Sequence, residues 1–78
     1  MVFDIWISEK KYSYHWQRTD GRIYRHDNAP HNKHKKIRTY PKHFHNGSEN
    51  IVTESKISDT PEIAIKEFLE FIRKTINN

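Results

Sequence analysis

Tyr12-Ser13-Tyr14-His15-Trp16-Gln17-Arg18-Thr19-Asp20-Gly21-Arg22-Ile23-Tyr24-Arg25-His26 is the stretch on which the fold turns. Tyr12, Tyr14, Trp16 and Arg18 fall on one side of an extended chain, and Ser13, His15, Gln17 and Thr19 on the other. That alternation is the two-residue period of a strand. Asp20-Gly21 then supplies two residues that tolerate positive φ, a strong hairpin signal. Arg22 to His26 make the returning strand. Upstream, Phe3, Ile5 and Ile7 alternate with Asp4 and Trp6 over residues 2–8, giving a first strand and a β-meander.

Downstream the signals are mixed. Asp27 to Lys36 reads as a loop, with Asp27 and Asn28 suited to Asx turns and Pro30 holding Ala29 extended. Ile37 to Tyr40 is expected to resume a strand, and Pro41 places the next residues at an edge or a bend. His43 to His45 can continue it. Asn46-Gly47 turns the chain, and residues 48–57 look irregular or weakly extended.

The C-terminal segment is clearer. Thr60 suits an N-cap, Pro61 the first helical position, and Glu62 the positive end of the dipole. Ile65, Phe68, Leu69, Ile72 and Ile76 form a helical stripe. Strands first and a helix last predict an α+β fold. It is a small antiparallel sheet of three to four strands with the C-terminal helix on one face, in one domain over residues 1–78.

Length limits what this fold can do. A chain of 78 residues buries only roughly 60% of its unfolded surface, so any site lies on an open face or at an interface. The absence of cysteine excludes disulfides and thiolate metal sites. There is no apolar run of membrane length and no secretory signal pattern, and a cytoplasmic chain is expected.

The net charge of +4 is unevenly spread. Residues 10–45 hold ten Lys and Arg against only Asp20 and Asp27, and all six His lie there as well. Both flanks are acidic. Such a centre fits a polyanion, RNA first among them. Arg25, Asn28, Lys35, Lys36 and Arg38 are candidate phosphate contacts, and Tyr40 a candidate base-stacking residue. Tyr14 and Trp16 are assigned to the core.

Each His taken singly is a surface or turn residue by default. Together they suit metal-independent RNA cleavage, in which imidazoles serve as base and acid and cations stabilise the phosphorane. A strand would point His43 and His45 the same way. His31 and His34 would be neighbours only on a helical turn. Asp27 with histidines could form a nitrogen–oxygen zinc site. The neighbouring lysines would repel a cation, and no metal or other cofactor is expected.

The blocks Tyr12–Gln17, Asp20-Gly21, Arg25-His26-Asp27-Asn28-Ala29-Pro30-His31, Thr39-Tyr40-Pro41-Lys42-His43-Phe44-His45 and Glu49-Asn50 resemble, in order, the TumE family of toxin–antitoxin toxins. Asn32, Lys42 and Phe44 stand where that family's pattern has His, His and Lys. The matching polar set is His15, Asp27, Asn28, His31, His43 and His45. The resemblance implies an RNA-directed nuclease neutralised by a cognate DNA-binding antitoxin. His15, Asp27, His31, His43 and His45 are the catalytic candidates, the imidazoles as the acid–base pool and Asp27 to orient one of them. A homodimer is compatible with so small a core. The rival expectations are a non-catalytic nucleic-acid binder and a module whose basic face docks an acidic partner.

Overall fold

The computed structural model describes residues 1–77. Five strands and one α-helix follow in chain order: β1 (Val2–Ile7), β2 (Tyr12–Gln17), β3 (Ile23–Asp27), β4 (His43–Gly47), β5 (Val52–Glu54) and α1 (Pro61–Ile76). All neighbouring strands pair antiparallel in the order β1-β2-β3-β4-β5. The α+β meander is as expected, with one strand more than anticipated, because residues 52–54 pair with β4.

The expected strand at Ile37 to Tyr40 does not form. Its amides close successive turns instead: Ile37 N–H donates to the His34 carbonyl at 3.0 Å and Tyr40 N–H to the Ile37 carbonyl at 2.9 Å. With those two donors satisfied within the turns, they are not free to join a ladder. The chain from Asn28 to Lys42 is therefore one long connection that contains a 3-10 turn at Asn32–His34.

Register decides what each face carries. Phe3↔Trp16, Tyr14↔His26, Trp16↔Tyr24 and His26↔Phe44 are directly opposed pairs. Opposed residues project to the same side, so these aromatics line one face. The helix lies on it. Trp16 (0% exposed), Tyr14 (1%) and Phe68 (1%) are its centre. Phe71 meets Trp16, Tyr24 and Phe44 edge-on, at centroid distances of 6.4, 5.4 and 5.6 Å. Arg18 covers the end of the row, its guanidinium 5.2 Å from the Trp16 ring.

The helix begins where expected, but Thr60 caps it through its carbonyl, which accepts from Ile63 and Ala64 N–H, and makes no side-chain cap bond. Its buried face is also rotated from the predicted stripe. Ala64, Phe68 and Ile72 are buried, with Ile65 and Phe71 flanking, whereas Leu69 and Ile76 are exposed. The sheet offers Phe71 an aromatic slot and Ala64 a close approach, and Leu69 is left on the far side.

His26 belongs to this core. It stacks on Phe44 at 4.1 Å, and its Nδ1 lies 2.8 Å from the Ser55 hydroxyl. Burial first, then the Lys42 charge, pushes its imidazole down to about 4. Once unfolded, it takes up a proton near pH 6.5. Stability is therefore complete above pH 6.5 and declines as pH falls towards 4, by on the order of 3 kcal/mol. Urea midpoints between pH 7 and 4.5 read this loss. The His26→Phe variant is expected to flatten the profile, and an unchanged slope would assign it to another group.

Candidate functional site

The face turned away from the helix carries the polar residues. Two rows cross it. Asp4, His15, Arg25, His45 and Val52 are opposed in one. Trp6, Ser13, Asp27, His43 and Glu54 are opposed in the next. The alternation that hides Tyr14 and Trp16 beneath the helix thus presents His15, Arg25, Asp27, His43 and His45 together.

Asp27 is the hub and is 7% exposed. Its Oδ1 accepts from Ala29 N–H at 3.0 Å, closing the Asx turn anticipated there. Its Oδ2 accepts from Arg25 Nε at 2.9 Å. Arg25 continues to Glu49 through Nη1–Oε1 (2.6 Å) and Nη2–Oε2 (3.0 Å). That planar, two-bond pairing is the geometry guanidinium favours. It holds the Glu49 carboxyl below its ordinary range.

The two strand imidazoles are oriented from behind. His43 Nδ1 lies 2.9 Å from the Pro41 carbonyl and His45 Nδ1 3.0 Å from the Glu49 carbonyl. A carbonyl only accepts, so both Nδ1 atoms carry protons. His45 Nε2 then accepts from Arg25 Nη2 at 3.0 Å. Burial lowers the His45 pKa. His43 Nε2 approaches Asp27 Oδ1 to 3.1 Å but is not aligned with it as a hydrogen bond.

Over this pair sits the 3-10 turn. In such a turn residues three apart eclipse, so His31 and His34 stand side by side with centroids 5.9 Å apart. His34 reaches 5.1 Å from the His43 ring and His31 reaches 6.0 Å. Partial burial, then His43, Lys33 and His31, lower the His34 pKa. Four imidazoles therefore form one cluster, with His15 two strands from His45 on the far side of Arg25.

Among the sequence candidates, His31, His43, His45, Asp27 and Arg25 converge. Lys35, Lys36 and Arg38 are exposed on the same connection, and Tyr40 follows them half-buried. Asn28 is occupied structurally: its Oδ1 accepts from Tyr12 N–H and its Nδ2 donates to the Lys10 carbonyl. Sequence reasoning set aside His34, Glu49 and Trp6. His34 was signalled by its spacing from His31, and Glu49 by the Glu49-Asn50 block. Trp6 was signalled by sharing the Asp4 face, and it is 53% exposed.

The TumE toxin model matches residues 2–76. The chain belongs to the TumE toxin family. A search of curated proteins and one of solved structures each return no match. Membership makes this TumE protein the toxin component of a toxin–antitoxin system and implies an antitoxin partner. Among the described residues no helix is long and apolar enough to cross a membrane.

Proposed function

We propose that this TumE toxin binds RNA on its helix-free sheet face and cleaves it by histidine acid–base chemistry. The observation that carries the reading is the cluster of His31, His34, His43 and His45 around the Asp27–Arg25 pair. RNA supplies its own nucleophile. A base takes the 2′-OH proton, O2′ attacks phosphorus, and the P–O5′ bond breaks as an acid delivers a proton to O5′. The products are a 2′,3′-cyclic phosphate and a 5′-OH end.

Exposure divides the roles. His31 is exposed and His34 half-buried, so they are the rings that meet substrate. His34, beside His31 and above His43, suits the base. His43 and His45 lie beneath and orient or relay. Arg25, Lys35, Lys36 and Arg38 draw in phosphates. Exposed Trp6 lies two strands from Asp27, roughly 10 Å away. It offers a stacking surface for an unpaired base, with Tyr40 as a second candidate. The antitoxin would be the cognate DNA-binding regulator.

The test is incubation of single-stranded RNA with the purified chain in EDTA. Cyclic-phosphate products are expected. Replacing His31 and His34 together by Ala should lower the rate by about 10²–10⁴-fold. Binding without any cleavage would replace this reading with a non-catalytic RNA binder. No RNA affinity at all would leave the basic face as a docking surface for an acidic partner.

A further inference from the structure

Three lone-pair donors on the open face are turned on one point. Asp27, His43 and His45 each offer a ligand atom, and these atoms lie within 4.8 Å of one another. All three side chains are buried. The Pro41 and Glu49 carbonyls fix both ring protons on Nδ1, leaving both Nε2 atoms as inward lone pairs. Metal-bound imidazoles receive this same backing, which sets the tautomer and the ring angle.

His43 Nε2 is the second sign. The residue is 1% exposed, and this nitrogen faces Asp27 Oδ1 at 3.1 Å without an aligned hydrogen bond. A buried polar atom left without a partner is costly and calls for an occupant.

We propose that the site binds one divalent transition-metal ion of the zinc type, with Asp27, His43 and His45 as ligands and His34 as the fourth. Imidazoles bound to one tetrahedral zinc at ~2.1 Å hold their ring centres roughly 5 Å apart. The His43–His45 and His34–His43 centroids are 4.9 and 5.1 Å apart. The His34–His45 distance of 6.2 Å closes with a small shift of the 3-10 turn. Three nitrogens and one oxygen suit zinc, whereas magnesium takes oxygen ligands in an octahedron.

The nearby cations do not forbid this. Arg25 releases only the contact from Nη2 to His45, keeping Glu49 and Asp27, whose carboxylates offset its charge. Lys33, Lys35 and Lys36 are exposed and screened by solvent. Binding stands whether or not RNA is cut. If the proposed cleavage holds, the ion also withdraws the His34 and His43 lone pairs from proton transfer, and zinc becomes an inhibitor.

Calorimetric titration of the metal-free full chain with zinc chloride, and separately with magnesium chloride, tests the site without RNA. One zinc per chain is expected, with a Kd of about 1 μM or tighter, and no magnesium binding. His34→Ala, at the rim, should weaken binding about tenfold. Asp27→Asn and His43→Gln should weaken it about 100-fold, with folding checked by circular dichroism, and His15→Ala should leave it unchanged. Absence of zinc binding in the parent chain would overturn the proposal, as would undiminished binding in His34→Ala, Asp27→Asn and His43→Gln alike.

Discussion

Phe68→Ala is expected to cost about 3–5 kcal/mol, read as a lower urea midpoint at unchanged slope. The whole stability of a domain this size is roughly 4–12 kcal/mol on a per-residue scale, so the loss removes from about a quarter of it to all of it. Phe68 is 1% exposed. Its ring lies 6.1 Å from Phe3, 6.2 Å from Tyr14, 5.8 Å from His26 and 6.3 Å from Phe71. One helix on one sheet face leaves no second layer to collapse into the space. Leu69 is the internal control: it is 47% exposed, and Leu69→Ala should change stability by about 0.5 kcal/mol or less. Equal effects at the two positions would mean that the helix docks by the stripe read from the sequence. An antitoxin that binds only the folded toxin would restore part of the Phe68→Ala loss in proportion to its concentration.

That contrast marks where the sequence stops being informative. Alternation from Tyr12 to Gln17, with Asp20-Gly21 behind it, was enough for the hairpin, because strand period and turn chemistry are local. The helix was equally legible from Pro61 and its spacing. Its face was not, because α1 carries more apolar residues than a narrow sheet can cover. Trp16, Tyr24 and Phe44 select Phe71, and Leu69 is surplus. Ile37 to Tyr40 has strand-like residues, yet hydrogen bonds of its own turns outcompete a ladder. β5 is too short to show a period.

The candidate site divides in the same way. That His43 and His45 share a face follows from their spacing. That Asp27 faces His43 requires the β3–β4 register, which depends on how the long connection from Asn28 to Lys42 is consumed. His34 enters only because that connection makes a 3-10 turn, and a spacing of three carries no meaning until the turn exists. The charge partition located the region without its geometry. Within that region, the two strand imidazoles prove to be the buried members and those of the turn the accessible ones.

Asp27→Asn is the variant that separates positioning from attraction. The substituted side chain keeps an oxygen for Ala29 N–H and beside His43, but it replaces the acceptor of Arg25 Nε with an NH₂ donor. One carboxylate fewer also raises the net charge from +4 to about +5, so phosphate attraction grows rather than falls. If Asp27 orients the imidazoles and Arg25, RNA cleavage should drop by about 100-fold while RNA affinity is unchanged or slightly tighter. A purely structural role predicts a different pattern. Leaving Arg25 Nε without its acceptor would then cost about 1–3 kcal/mol of stability, and cleavage would recover once measured on the folded fraction. Single-turnover rates and RNA affinities, taken on protein whose folded fraction is fixed by its urea curve, distinguish the two. Lost turnover with retained affinity assigns Asp27 to positioning the His31–His34–His43–His45 cluster. A loss of both that disappears on correction to the folded fraction assigns it to the fold alone. A rate equal to that of the parent chain would remove the Asp27–Arg25 pair from the chemistry.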